Sequence, residues 1–415
     1  MLDTEKIGAF IAEKRRQHGL TQQQLAGRLN ISFQAVSKWE NGTACPNIEL
    51  LAELAAVLGV TADELLAGRE RAEEGLSYSR AGVDIAYTDA MKREMADVLE
   101  RGDRRVLNGL GAFASLYDID FPDIKHPVLV LKSEEPGSKQ KLAVEYGYTE
   151  SICHDMINHL VNDIIVMGAK PLAVLDTIVC GNAEKDTIHA LVKGISDACR
   201  ENECSLVGGE TSIQPQVVNA GTYVLTASIA GIVEREKIID GSAVREGDVV
   251  LAAASNGLHT NGYSLVRLMM EWMPQIKLER IVGLTFIEQI MKPHTPYYKA
   301  VKEAVERKLL HAMAHITGGG IAGNLCRVIP DGLTARIDLS RLRIPAIFRY
   351  IREQGGIRED EMLRTFNCGA GLVLVTGREH AEAVKRLVSR QCDCYEIGEI
   401  VSGQERVRME GRMSW

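Results

Sequence analysis

The stretch Thr149–Val179, TESICHDMINHLVNDIIVMGAKPLAVLDTIV, places a helix next to a strand and decides the fold class. Thr149–Met167 carries apolar residues at helical spacing, and Ala173–Val179 is an apolar, β-branched run typical of a strand. The same alternation continues outward. Further strands are predicted at Val128–Leu131, Val224–Val233, Val249–Ala254, Thr334–Ile337 and Gly371–Val375, and further helices at Lys185–Glu201, Tyr263–Met273, Tyr297–Lys308, Ala346–Gln354 and Glu379–Ser389. This pattern predicts an α/β or α+β chain of two lobes that divide near Glu234–Gly247.

Hard oxygen ligands recur near glycine-rich segments of this region. They are Asp84, Asp155, Asn162, Asp163 and Glu210. Asp155 and Asn162 are seven residues apart on the predicted helix and therefore share one of its faces. Carboxylates beside glycine-rich backbone favour Mg²⁺ with a nucleotide polyphosphate. For Asp163 the alternative is a buried, hydrogen-bonded side chain that holds the helix.

Glycine clusters recur between the predicted elements. They are Asn108–Phe113, Gly208–Thr211, Ser255–Gly257, Asn261–Gly262, Thr317–Gly320 and Asn367–Gly371. Glycine lets a backbone approach a ligand closely, although most glycine pairs are only turns. Thr317–Gly320 precedes a predicted helix at Ile321–Arg327, which favours a phosphate at a helix N-terminus. None of the clusters has the spacing of a P-loop or of a dinucleotide-binding turn.

Residues 1–68 are predicted to form short helices joined by short turns. Thr21 with Gln24 and Thr61 with Glu64 fit capping boxes, and a helix is predicted at Ser32–Glu40. Residues 20–66, LTQQQLAGRLNISFQAVSKWENGTACPNIELLAELAAVLGVTADELL, resemble the Cro/CI-type helix-turn-helix family.

That resemblance implies an all-α DNA-binding domain whose second motif helix, Ser32–Trp39, lies in the major groove of an operator. Gln34, Ser37 and Lys38 would then face double-stranded DNA. Residues 1–68 carry 6 Lys and Arg against 8 Asp and Glu, a net charge of −2, so attraction to phosphate is weak. A helical protein-interaction module with the same core is the alternative.

Composition excludes several classes of protein. The chain has 415 residues, 46% hydrophobic and 25% charged, which excludes a mostly disordered chain. A net charge of −8 argues against a surface coated with nucleic acid. Nine scattered cysteines without a C-x-x-C pair argue against a disulfide scaffold or a cysteine-rich zinc site. We find no leader pattern or membrane-spanning run and expect a cytoplasmic protein.

Eight segments after residue 76 together resemble the phosphoribosylformylglycinamidine cyclo-ligase, or AIR synthase, family over about Leu76–Val401. They are LSYSRAGVDI, NGLGAF, HDMINHLVNDIIVMGAKPL, CSLVGGET, EREKIIDGS, SNGLHTNGYSLVR, HAMAHITGGGIAGN and MLRTFNCGAGL. Residues 69–76 are charged and lack apolar periodicity, which indicates a linker or an exposed helix end after the helix-turn-helix domain at 1–68. The resemblance implies a two-lobed α/β part with lobes at 77–235 and 236–408. It also implies a homodimer formed through the sheet of the first lobe, with ATP in a cleft that involves both lobes.

The resemblance further implies ATP-dependent closure of an imidazole ring on a purine-pathway ribonucleotide. Metal-bound phosphate would be held by Glu134, Asp84, Asp155, Asn162 and Asp163, and the nucleotide cleft would be lined by Gly109, Gly111, Gly208, Gly209, Glu210 and Thr211. The catalytic residues would be His259, Asp163 and Lys139, and the substrate would lie near Asn261, Thr317, Gly318, Gly319 and Gly320. A histidine suits proton transfer at neutral pH, although His259 could equally order its loop by hydrogen bonds.

The segment 133–139, SEEPGSK, departs from the family pattern T-D-G-V-G-T-K. The family's aspartate becomes Glu134, which carries the charge one methylene further out. Glu135 adds a negative charge where phosphate approaches, and Pro136 removes an amide donor. Two hypotheses follow. The chain is a working ATP- and Mg²⁺-dependent ligase with a DNA-binding domain, or it is a transcription regulator whose ligase-like part senses a nucleotide or purine intermediate.

Overall fold

A computed structural model describes residues 3–70, 103–108, 112–182 and 184–415. The chain divides into two compact units, residues 1–77 and 78–415. The predictions at Asp84, Gly109 and Gly111, and most of the 69–76 linker, lie outside the described residues. No helix of the described residues is long and apolar enough to span a membrane, and all nine cysteines are free thiols.

The first unit is a set of short helices around one core. Its helices are α1 (Thr4–Gln17), α2 (Gln22–Arg28), α3 (Phe33–Glu40), α4 (Ile48–Leu58) and α5 (Ala62–Ala67). Both predicted capping boxes are confirmed, at Thr21 and Thr61. Ile48, the first residue of α4, is 83% exposed.

The first sheet of the second unit has four strands in the order β1-β4-β2-β3. They are β1 (Pro127–Glu134), β2 (Lys170–Cys180), β3 (Ser205–Ile213) and β4 (Tyr223–Glu234), accompanied by helices α6 (Lys139–Tyr146), α7 (Thr149–Ile165) and α8 (Lys185–Glu201). β2 and β3 are parallel, so a crossover is required between them, and α8 supplies it. α7 packs against the sheet with an almost wholly buried apolar face.

The second sheet has six strands in the order β12-β9-β11-β5-β10-β8, antiparallel except for β12 and β9. They are β5 (Val249–Ala254), β8 (Ala312–His315), β9 (Leu333–Asp338), β10 (Ala370–Thr376), β11 (Cys394–Ser402) and β12 (Val407–Glu410), and the two-residue strands β6 (Arg280–Ile281) and β7 (Leu284–Thr285) pair separately. The helices are α9 (Tyr263–Trp272), α10 (Phe286–Ile290), α11 (Tyr298–Glu306), α12 (Gly320–Leu325), α13 (Ala346–Gly355), α14 (Glu359–Thr365) and α15 (Ala381–Val388). The predicted fold class is confirmed, since a helical region precedes an α/β part with mixed sheets.

The prediction that Gly208–Thr211 forms a loop between elements is wrong, because these residues lie within β3. Glycine is needed there for packing rather than for a turn. Gly209 pairs with Asp176 of β2, and a Cβ at Gly209 would lie 1.9 Å from the carboxylate Oδ1 of Asp176. β8, β11 and β12 were also absent from the predicted strands.

Candidate functional site

Helix α7 carries Asp155 into the interior, where it pairs with Lys139 at the start of α6. Both side chains are 0% exposed, and Lys139 Nζ lies 2.6 Å from Asp155 Oδ2. The same ammonium donates to the backbone carbonyls of His259 and Lys292, at 3.2 and 2.7 Å. Burial raises the pKa of Asp155 to about 6, although Lys139 opposes this shift. The structure therefore favours a structural role for this pair over the metal and catalytic roles expected of Asp155 and Lys139.

The same helix holds a loop of the second lobe, residues 292–297. Asn158 Nδ2 donates to the carbonyl of His294 at 2.6 Å, and Asp155 Oδ1 accepts from the His294 amide at 2.9 Å. Asn162 donates to the carbonyl of Thr295 and accepts from the amide of Tyr297, at 2.9 and 3.0 Å. Asn162 was expected to hold metal-bound phosphate, whereas here it fixes this loop.

Asp163, one residue further along, is half-buried at the edge of a cavity. Its Oδ2 lies 3.0 Å from Lys132 Nζ, which in turn lies 2.9 Å from Glu134 Oε2. Its Oδ1 lies 2.7 Å from His315 Nδ1. Burial tends to raise the pKa of Asp163, but the hydrogen bond to His315 and the nearby cations hold it well below the ordinary value. The two carboxylates thus converge on one point, and an ammonium lies there.

The cavity has a volume of about 600 Å³ and is lined by residues of both lobes. Its polar lining comprises Lys132, Glu134, His159, Asp163, Asp240, Asn261, His315, Thr317, Gly318, Asn324 and Arg327. The volume suits a small-molecule ligand, and three carboxylates and two cations line the wall. Lys132 and Arg327 did not emerge from the sequence, because isolated basic residues carry no motif.

The glycine-rich turn Thr317–Gly320 borders this cavity through Thr317 and Gly318. Its other two amides are already used, because Gly319 donates to the carbonyl of Arg364 and Gly320 donates to that of Thr317. α12 begins at Gly320 and has only six residues. The predicted helix N-terminus is therefore a weaker phosphate site than its sequence indicates.

Four histidine rings lie together at the base of the cavity: His159, His259, His294 and His315. The centroids of His259 and His294 are 3.9 Å apart in a stack, and Nε2 of His294 lies 2.9 Å from Nε2 of His315. His259 is only 1% exposed and has a positive φ of 61°, which is unusual for a residue other than glycine. Its Nε2 lies 3.1 Å from Thr295 Oγ1, so the structure favours the loop-ordering interpretation.

The remaining predicted residues lie elsewhere in the fold. Gly208, Gly209, Glu210 and Thr211 are on β3 and do not line this cavity within the described part of the chain. In the first unit, Gln34 and Lys38 are exposed on α3, while Ser37 is half-buried. Val36 and Trp39 on the opposite face of α3 are buried in the core.

Comparison with protein families matches three parts of the chain. The model described as "AIR synthase related protein, N-terminal domain" matches residues 129–233, and its C-terminal counterpart matches 245–410. A helix-turn-helix model matches residues 11–65.

Among curated proteins, a phosphoribosylformylglycinamidine cyclo-ligase of Methylobacillus flagellatus is 40% identical, covering 79% of this chain and 95% of that protein. Solved structures share the fold at lower identity. A thiamine-monophosphate kinase from Stenotrophomonas maltophilia is 20% identical with a TM-score of 0.55, covering 80% of this chain and 98% of that one. The hydrogenase maturation protein HypE in complex with ATP is 17% identical with a TM-score of 0.55, covering 81% and 92%.

Proposed function

We propose that the cavity at Asp163 is the catalytic centre of this protein. The chain belongs to the phosphoribosylformylglycinamidine cyclo-ligase family, a family of ATP-dependent C–N ligases. Its reaction would close the imidazole ring of aminoimidazole ribonucleotide. The observation that carries the proposal is the convergence of Glu134 and Asp163, 2.9 and 3.0 Å from one ammonium, on the wall of a cavity shared by both lobes.

The reaction in this cavity would have two steps. ATP transfers its γ-phosphoryl group to the amide oxygen of formylglycinamidine ribonucleotide and leaves as ADP. The ring nitrogen then attacks the activated carbon, the new C–N bond forms, and phosphate leaves with the former amide oxygen. Arg327 would stabilise the negative charge on the phosphoryl group, and Asn261 with Thr317 and Gly318 would orient the ribonucleotide.

The residues present fit Mg²⁺, since carboxylate oxygens are the ligands that this ion prefers. Glu134 and Asp163 would hold it, with displacement of the Lys132 ammonium that now neutralises them. When bound, Mg²⁺ would supply positive charge that neutralises the phosphate groups. Asp155 stays outside this ligand set because its oxygens are paired with Lys139 and the His294 amide.

A turnover assay tests this proposal. The full chain is mixed with formylglycinamidine ribonucleotide, ATP and Mg²⁺, and aminoimidazole ribonucleotide and ADP are both measured. We expect the two products in equal amounts. Saturable ligand binding with no product would instead favour the second hypothesis, a regulator whose ligase-like part senses a nucleotide or purine intermediate. Glu135, Pro136 and the ammonium on the acidic pair are the features that support that hypothesis.

The outer face of the first sheet supports a homodimer. Register places Leu129, Leu131, Leu175 and Val224 on one face, where all four side chains are exposed. Apolar side chains grouped on an uncovered sheet face favour a protein interface. Sedimentation at several concentrations tests it, with Leu131→Asp expected to give a monomer.

The first unit would bind double-stranded DNA through α3. Gln34 and Lys38 are exposed on its outer face, and a two-fold dimer would read two half-sites about 34 Å apart. Selection of binding sites from random duplexes tests this role. We expect enrichment of a palindrome with the full chain and its loss with Gln34→Ala, whereas Gln17→Ala on exposed α1 serves as the matched control.

A further inference from the structure

Three histidines of the second lobe form a cluster distinct from the carboxylates above it. His259, His294 and His315 each offer one ring nitrogen, and these atoms all lie within 4.8 Å of one another. All three side chains are buried. Imidazole nitrogens in such a group suit a divalent first-row transition metal, whereas Mg²⁺ prefers oxygen.

Two of these rings carry a nitrogen without a partner. Nδ1 of His259 and Nδ1 of His294 are buried and make no hydrogen bond with any described residue. Buried polar atoms are normally satisfied, so a pair of unpartnered ring nitrogens indicates a ligand.

The third histidine is oriented by a carboxylate. Nδ1 of His315 lies 2.7 Å from Asp163 Oδ1, which leaves its Nε2 pointing at His294 Nε2, 2.9 Å away. Metal-bound histidines commonly donate their other ring nitrogen to a carboxylate, which fixes the tautomer and raises ligand basicity.

The other two rings are held from outside the cluster. His259 is fixed by the contact of its Nε2 with Thr295 Oγ1, at 3.1 Å. The His294 backbone is clamped to α7 by Asp155 and Asn158. Rings that are fixed in this way lose little conformational entropy when a ligand binds, which favours affinity.

We propose that His259, His294 and His315 bind one divalent transition-metal ion of the Zn²⁺ or Co²⁺ class, independently of the ligase reaction. The ion would take the place of the hydrogen bond between Nε2 of His294 and Nε2 of His315, and the two nitrogens would move apart to reach metal–nitrogen distances of about 2.0–2.1 Å. His315 and Asn261 line the cavity, which gives the ion a route of entry.

A rival set shares one member with this one. His159, Asp163 and His315 also offer three ligand atoms within 4.8 Å. Lys132 Nζ lies 3.0 Å from Asp163 Oδ2, so this set already contains a cation. A divalent ion there would have to displace an ammonium, which the three-histidine set does not require.

Metal-free full-length protein titrated with Co²⁺ tests the proposal. The visible absorption of bound Co²⁺ reports its coordination, and equilibrium dialysis with elemental analysis reports the stoichiometry. We expect one ion per chain, bound without ATP or substrate. His294→Leu is expected to weaken binding by at least about 100-fold, whereas His159→Leu, the matched control, changes it by less than about threefold.

Circular dichroism checks that each variant is folded, and His294→Gln provides a second, more polar replacement with the same expected loss. Absence of stoichiometric binding by the wild type overturns the proposal. Loss of binding in His159→Leu with retention in His294→Leu also overturns it and assigns the ion to Asp163. Neither outcome depends on turnover, so failure here leaves the ligase proposal intact.

Discussion

Two aspartates of helix α7, eight residues apart, each form an ion pair with a lysine. One ion pair is enclosed in the interior and the other borders the cavity. Asp155 with Lys139 is wholly enclosed, with 0% exposure of either side chain. Asp163 with Lys132 lies at the cavity wall, with 21% and 35% of the side chains exposed. The sequence treats the two aspartates alike, because both are acidic residues on one predicted helix.

Burial separates their chemistry. Burial raises the pKa of Asp155 to about 6 despite its lysine, whereas the pKa of Asp163 is held low by His315 and nearby cations that outweigh its burial. An enclosed pair, with one Asp155 oxygen accepting from the His294 amide and the other in an ion pair with Lys139, stabilises the contact between the two lobes. A pair that opens onto a cavity can exchange its lysine for a ligand. The following predictions test that distinction.

The largest expected effect is on folding. Asp155→Asn leaves the Lys139 ammonium buried without its counter-charge, and we expect the free energy of unfolding to fall by about 3–5 kcal/mol. Denaturant unfolding followed by circular dichroism measures it. The double variant Asp155→Asn with Lys139→Met is the control and should recover much of the loss. A single variant as stable as the wild type would show that the pair is dispensable.

The second effect is on turnover. Asp163→Asn removes the charge that faces the cavity, and we expect turnover to fall by at least about 100-fold because metal and phosphoryl charge lose their counter-charge. The free energy of unfolding should also fall, because the Asp163 charge is held by His315 and Lys132 in the folded state, so turnover is compared at equal folded fraction. Product formation and unfolding are measured on the same preparation. Retained turnover would exclude Asp163 from the reaction.

The third effect concerns Asp176, a buried aspartate that has no lysine. Burial, with Glu210 nearby, raises its pKa to about 7. The unfolded chain releases this proton at lower pH, so the folded state loses up to about 1.4 kcal/mol per pH unit as pH rises from about 4 to 7. Asp176→Asn should abolish this contribution. Unfolding curves between pH 4 and 8 measure it, and parallel curves for variant and wild type would refute the shift.

The smallest effect comes from the cation at the cavity wall. Lys132→Met frees Glu134 and Asp163, and we expect the Mg²⁺ concentration for half-maximal turnover to fall about fivefold, or about 1 kcal/mol. Turnover against Mg²⁺ concentration measures the change. Lys125→Met, at an exposed position before β1, is the control. Loss of turnover with an unchanged Mg²⁺ requirement would mean that Lys132 contacts phosphate itself.

The helices and strands were largely predictable, because hydrophobic periodicity indicates helices and apolar, β-branched runs indicate strands. Lys185–Glu201 and Val249–Ala254 were predicted to the residue. β3 was missed because glycines at 208 and 209 mimic a turn, although Asp176 on the neighbouring strand requires a glycine at that position.

The candidate site was predictable in its neighbourhood and not in its detail. The family resemblance drew attention to Asp163, Glu134 and Asn261, which line one cavity. It also selected Asp155 and Lys139. These two residues neutralise each other in the interior, and no pattern in the sequence reveals that pairing. His294 and Lys132 were not singled out. Their positions depend on contacts between the two lobes, over sequence separations that local patterns do not report.

The central claim is that Asp163, and not Asp155, belongs to the catalytic centre. The most direct test is single-turnover formation of aminoimidazole ribonucleotide. It is measured at equal folded fraction for Asp163→Asn and for the double variant Asp155→Asn with Lys139→Met. The account predicts that the first loses the chemical step and the second retains it to within about tenfold. Retention by Asp163→Asn with loss in the double variant would contradict it.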